Sequence, residues 1–139
     1  MEKATFAAGC FWGVEAKFRK FKGVISTQVG YTGGNKENPS YEDVCTGLTG
    51  HAEAVEITFD NEKISYRDLL DIFWSIHNPT TPDRQGFDIG SQYRSAIFFH
   101  NEIQQKLALE SKEEFEKSGK LPQPVVTEIV SATKFWPAE

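Results

Sequence analysis

Between two extended runs, Lys3–Ala8 and Val24–Val29, the chain changes period. Phe11, Val14, Phe18 and Phe21 recur at helical spacing across Cys10–Lys22. Glu15, Lys17, Arg19, Lys20 and Lys22 fall mostly on other faces. Gly9 permits a tight turn out of the first strand, and Gly23 stops the helix. Strand, helix and strand in succession imply a sheet with a helix packed across it.

The alternation continues. Ser40 and Asp43 form a start signal for a short helical turn carrying Tyr41 and Cys45, which Gly47 and Gly50 break. Ala54–Phe59 alternates as a strand, with Val55, Ile57 and Phe59 on one face and Glu56 and Thr58 on the other. Ser65 and Asp68 repeat the capping pattern ahead of an apolar stripe of Tyr66, Leu69, Leu70, Phe73 and Ile76, which ends near Pro79. Gly30–Asn35 and Thr80–Gly90 read as loops, and Tyr93–Phe99 as the expected central strand. Asn101–Ser118 is a polar, exposed helix and Val125–Val130 a last strand. The pattern predicts one domain over residues 1–139, with a mixed sheet and helices packed on it.

Composition narrows the function. Acidic residues exceed basic ones 20 to 15, giving a net charge of −5, a poor match for nucleic acid or an anionic membrane. No apolar run approaches the ~18 residues of a membrane span. The start, Met1–Phe6, lacks the apolar core of a secretory signal, so a cytoplasmic location is expected. Neither of the two cysteines sits in a Cys-x-x-Cys pair, which argues against a zinc ribbon or a thioredoxin-type dithiol.

Gly9-Cys10-Phe11-Trp12-Gly13 is the sharpest local feature. A cysteine in the first turn of a helix meets free backbone N–H groups and the positive end of the dipole, which favour the nucleophilic thiolate. The other reading of Cys10 is a small buried hydrophobe. Phe11 fits the apolar stripe of its helix, whereas Trp12 falls off it and is the better pocket candidate. The arginine that a cysteine phosphatase needs six positions after its nucleophile is absent, since Ala16 and His51 stand there. His51, His77 and His100 carry no recognisable catalytic surround, and a structural role or an exposed tip is expected for each.

Gly50-His51-Ala52-Glu53 leads into the alternating strand. By parity Glu53 shares the face of Val55, Ile57 and Phe59. A carboxyl held toward an apolar core keeps its proton to higher pH and then serves as a general acid. If the strand begins after Glu53, that parity means nothing. Tyr41 and Tyr93 offer phenols able to hold an oxygen, or simply to pack with a wet hydroxyl.

Four blocks, Gly9-Cys10-Phe11-Trp12-Gly13, Gly30-Tyr31-Thr32-Gly33-Gly34, Gly50-His51-Ala52-Glu53 and Gly90-Ser91-Gln92-Tyr93-Arg94-Ser95, together resemble the signature of the type A peptide methionine sulfoxide reductases. His77-Asn78-Pro79-Thr80 and Arg84-Gln85-Gly86 fit between them, and the likeness runs from Phe6 to Glu139. It implies a two-layer, ferredoxin-like α+β sandwich acting on the S epimer of methionine sulfoxide, free or in proteins. It further implies that Cys10 attacks the sulfoxide sulfur, Glu53 protonates the oxygen, and Tyr41 and Tyr93 hold that oxygen. Phe11 and Trp12 would receive the S-methyl group, and Asp88 would bind substrate. Cys10 would become a sulfenic acid, reduced by an external thiol: thioredoxin, or glutathione with glutaredoxin. No metal or cofactor, and a monomeric state, are expected.

Many family members extend past the Phe135–Glu139 segment with tails that carry resolving cysteines. Here Cys45 is the one internal candidate, and the resemblance favours a packing role for it. Two other functions fit the same residues: a methionine-peptide binding module without chemistry, and a thiol peroxidase.

Overall fold

A computed structural model describes residues 1–138. The strands are β1 (Glu2–Ala8), β2 (Val24–Thr32), β3 (Ala52–Phe59), β4 (Arg84–Gln85), β5 (Asp88–Ile89), β6 (Ser95–Phe99), β7 (Glu128–Ser131) and β8 (Trp136–Pro137). The helices are α1 (Phe11–Arg19), α2 (Tyr41–Cys45), α3 (Tyr66–Ser75) and α4 (Glu102–Lys117). Six strands form one sheet in the order β7-β6-β1-β3-β2-β8, while β4 and β5 form a separate hairpin. The central run β6-β1-β3-β2 is antiparallel throughout, and it is built by β1-α1-β2-β3-α3-β6. That is the ferredoxin-like arrangement. β7 extends it in parallel with β6 after the α4 crossover, and β8 closes the other edge against β2.

The sheet is buried on both faces, by different means. Phe6, Val55, Ile57, Phe59 and Ile97 meet Phe11, Val14 and Phe18 of α1 and Leu69, Leu70 and Phe73 of α3. Stacked aromatics hold this layer, with Phe6 5.4 Å from Phe18 and 5.2 Å from Phe73. The opposite face is lined by Ala7, Ala52, Ala54 and Ala96 around Phe98, with Ala132 and Phe135 laid over it. The structure is therefore α+β, with the helices on the aromatic face.

Both serine capping boxes form. Ser40 and Asp43 exchange bonds of 3.0 and 3.1 Å, and Ser65 and Asp68 exchange two of 3.0 Å. Several boundaries differ from the sequence reading. β1 and β3, not Tyr93–Phe99, are central, because alanines let both of their faces be covered. Tyr93 instead ends a 3-10 turn ahead of β6. α1 stops at Arg19, leaving Phe21 exposed in the following turn. Val125–Thr127 is drawn to a loop by the bond from Val126 N–H to the Pro79 carbonyl, so β7 begins at Glu128. β8 gave no periodic signal, since it is two residues long and contains a proline at the sheet edge. Among the described residues, no helix is long and apolar enough to cross a membrane.

Candidate active site

Gly9 leaves β1 with φ +103°. It delivers Cys10 to the N-cap of α1, where the side chain makes no capping bond and the residue is exposed. Cys10 thus precedes the helix rather than lying in its first turn, and it is not a buried hydrophobe. Its carbonyl accepts from Val14 N–H at 3.2 Å, starting the helix.

Glu53 enters from β3. Its parity places it on the aromatic face, opposite Tyr31 of β2, and it is 2% exposed. Oε1 accepts from the Phe11 backbone N–H at 3.3 Å, while Oε2 is buried without a protein partner. Burial raises the carboxyl's pKa to about 7, against the lowering effect of the Phe11 N–H, and the Asp88 charge adds to the rise. Near neutral pH the group is therefore divided between acid and carboxylate.

Cys10, Phe11, Trp12, Tyr31, Tyr41, Glu53, Tyr93 and Ala138 enclose a cavity of about 390 Å³. Phe11 forms its floor, nearly buried and with its ring 5.6 Å from that of Tyr31. Trp12 stands at the mouth, 71% exposed. Tyr31 is buried, and its pKa is pushed up to about 12, first by burial and then by Glu53. Burial and Glu53 likewise raise the pKa of Tyr93. For Tyr41, the Cys45 side chain is the first cause of a raised pKa and Tyr93 the second. All three phenols hold their protons and are available as donors.

The structure thus brings together six of the seven side chains singled out in the sequence. The seventh, Asp88, is exposed on β5 and does not line the cavity, although its charge reaches Glu53 and Tyr93. Tyr31 and Ala138 were missed. Reading Gly30–Asn35 as a loop hid Tyr31, whereas β2 continues to Thr32 because Gly30 lets the β8 backbone approach closely. Ala138 follows β8 and is held by its N–H to the Val29 carbonyl at 2.9 Å. Cys45 does not pack in the core. It is exposed at the end of α2, close enough to affect Tyr41, Tyr31 and Tyr93.

No histidine lines the cavity. His51 accepts from Gly34 N–H and donates to the Lys36 carbonyl, bracing two loops. His77 bridges the Phe73 carbonyl and the Ser95 hydroxyl, both at 2.7 Å, and His100 contacts Thr5 Oγ1. Among the described residues, no group of three or more His, Cys, Asp or Glu side chains converges as metal ligands do. A larger cavity, about 480 Å³, lies between α3 and α4 and contains no cysteine. Within it Arg67 is paired with Glu114 and Asp71.

The arrangement places a thiol, a protonatable carboxyl and three phenols around a small aromatic chamber. Known proteins resemble the whole chain in sequence and fold. The family model described as peptide methionine sulfoxide reductase matches residues 2–139. The peptide methionine sulfoxide reductase MsrA of Methanothermobacter thermautotrophicus is 62% identical over 99% of this chain and 82% of its own. That of Methanosarcina acetivorans is 61% identical over 100% of this chain and 74% of its own. Reduced Mxr1 from Saccharomyces cerevisiae superposes with a TM-score of 0.92 at 36% identity, covering 99% of this chain and 80% of that one. Mxr1 in complex with Trx2 superposes at 0.72 and 26% identity, over 96% of this chain and 78% of that one. The chain belongs to the peptide methionine sulfoxide reductase family of enzymes.

Proposed function

We propose that this chain reduces the S epimer of methionine sulfoxide, free or within proteins, with Cys10 as nucleophile and Glu53 as acid. The observation that carries the reading is the meeting of these two groups in one cavity, the carboxyl retaining a proton near neutral pH. A sulfoxide oxygen leaves poorly until protonated, so attack and protonation must occur on the same substrate. Phe11 and Trp12 offer the S-methyl group an apolar seat, and Tyr41 and Tyr93 donate to the oxygen. Asp88 contributes to substrate binding from the rim.

In the reductive step the Cys10 thiolate bonds to the sulfoxide sulfur as Glu53 gives its proton to the sulfoxide oxygen. The new S–S bond and the substrate S–O bond then break as the hydroxyl passes to Cys10, leaving S–OH there and releasing methionine. Substrate sulfur gains two electrons and Cys10 loses two. Two external thiols then restore Cys10, releasing water and a disulfide. Thioredoxin is the favoured donor, since the related Mxr1 forms a complex with Trx2; glutathione with glutaredoxin is the alternative. One domain spanning residues 1–139, acting as a cytoplasmic monomer, suffices for this scheme.

The test supplies the two epimers of dabsylated methionine sulfoxide with dithiothreitol. Methionine should form from the S epimer alone, and Cys10→Ser should abolish it. Binding without turnover in the parent protein, or oxidation of Cys10 far faster by peroxide than by sulfoxide, would replace this reading with a binding module or a peroxidase. Mass spectrometry after one turnover without reductant should find one oxygen added at Cys10. A stoichiometric Cys10–Cys45 disulfide overturns the external-thiol step.

A further inference from the structure

Gln85 ends β4 outside the cavity, and the chemistry above gives it no part. Its side-chain amide reads the backbone of Asn78 on both sides. Oε1 accepts from Asn78 N–H at 3.0 Å, and Nε2 donates to the Asn78 carbonyl. Nε2 also donates to Thr81 Oγ1 at 3.3 Å. One side chain thereby imitates a short stretch of strand pairing to the segment that follows α3. Asn78 is itself fixed, since its own Oδ1 accepts from Thr80 N–H at 3.0 Å and from Thr80 Oγ1 at 2.6 Å.

The aliphatic part of Gln85 lies against the turn that carries Cys10. A Cβ placed on Gly9 would stand 2.9 Å from Gln85 Cγ and 3.0 Å from its Cβ. Gly9 is buried, so the bare glycine face is the seat of this side chain. Gln85 also pairs in register with Asp88 across the β4–β5 hairpin. A single residue thus touches the nucleophile's turn and the segment after α3, and pairs with Asp88.

We propose that Gln85 is a positioning residue that seats the β4–β5 hairpin on the Gly9–Cys10 turn and thereby fixes Asp88 relative to Glu53. The inference rests on the reading of Cys10 as nucleophile and Glu53 as acid. Asp88 is the charged group from the hairpin side that reaches Glu53. The other groups sharing Glu53's cavity are Tyr31 from β2, Tyr41 from α2, Tyr93 from the 3-10 turn, and Cys10 and the Phe11 N–H at the start of α1. Releasing the hairpin withdraws a negative charge from the acid and leaves those neighbours in place. The acid then gives up its proton at lower pH, and substrate loses a rim contact.

The test measures the pH dependence of single-turnover reduction in Gln85→Ala, Gln85→Met, Asp88→Asn and the Gln85→Ala/Asp88→Asn pair. Gln85→Met keeps the packing on Gly9 and removes the amide, which guards against a Gln85→Ala protein that does not fold. Loss of Gln85 should move the alkaline limb down by about half a pH unit and raise KM several-fold. At about pH 5.5, where Glu53 is protonated, and with saturating substrate, the rates of Gln85→Ala and Gln85→Met should stay within roughly threefold of the parent. In the Asp88→Asn background, Gln85→Ala should move the limb no further. A lower kcat with the limb and KM unmoved, or additive shifts in the pair, overturns the proposal. Glu53→Ala is run alongside: if the limb survives in it, the acid assignment itself has failed, and Gln85 is not the cause.

Discussion

The Phe11 backbone N–H donates to Oε1 of Glu53 at 3.3 Å, so the first amide of α1 points to the acid. That bond favours the carboxylate, whereas burial favours the protonated form, and the balance falls near pH 7. In the proposed scheme, the proton destined for the sulfoxide oxygen is thus held firmly enough to be present and loosely enough to be given.

Glu53→Ala should slow the single-turnover reduction of methionine S-sulfoxide by about 10²- to 10⁴-fold, the range of general acid catalysis. In the parent protein the step should weaken as pH rises through about 7, because the working form is the protonated one. Glu53→Ala should lose that limb. A variant reacting at the parent rate removes Glu53 from the chemistry.

The same carboxyl makes stability depend on pH. Its folded pKa is raised from 4.5 to about 7, so its favourable contribution is complete below about 4.5 and is lost as pH rises through about 7. Glu53→Gln should remove this loss, gaining on the order of 1–2 kcal/mol over the parent above neutrality relative to acid, with the open cavity mouth tempering the figure. Urea unfolding across that range is the measurement, and parallel curves for both proteins would contradict it.

Phe11 and Trp12 are neighbours in sequence with opposite burdens. Phe11 is 5% exposed within the core, so Phe11→Ala should cost about 3–5 kcal/mol. Trp12 is 71% exposed, so Trp12→Ala should change stability by less than about 0.5 kcal/mol while raising KM for the sulfoxide. Thermal melts paired with steady-state kinetics separate the two.

His77 predicts an acid weakness. Burial lowers its pKa from 6.5 to about 4, and the charge of Lys17 assists. The neutral ring bridges Phe73 and Ser95, and Ser95 continues to Thr127 at 2.7 Å. This contribution to stability is full above about 6.5 and is lost as pH falls through about 4. His77→Gln should flatten that part of the stability curve, seen in urea melts at acid pH.

Much of the site was legible because its residues obey simple periods. Glu53 could be placed on the aromatic face by counting along β3, and the two capping serines marked α2 and α3. What escaped notice depends on contacts between distant segments. Tyr31 enters the cavity because Gly30 lets the β8 backbone lie close, which no local pattern announces. The hairpin bearing Asp88 has two-residue strands, too short to show alternation. Cys45 was expected to pack, but a five-residue helix ends on it and leaves it outside.

The two faces of the sheet set different limits on how this chain can vary. On the aromatic face large rings fill the space, so truncation leaves voids; on the alanine face the space is already closed, so enlargement forces the covering segments away. Ala52 and Ala54 flank Glu53 on β3 and look into that closed side. A slip of one residue would drive a carboxylate into alanine-sized space. The smallest side chains in the sheet therefore act as a lock on alignment, and drift at those two alanines should be felt first in catalysis.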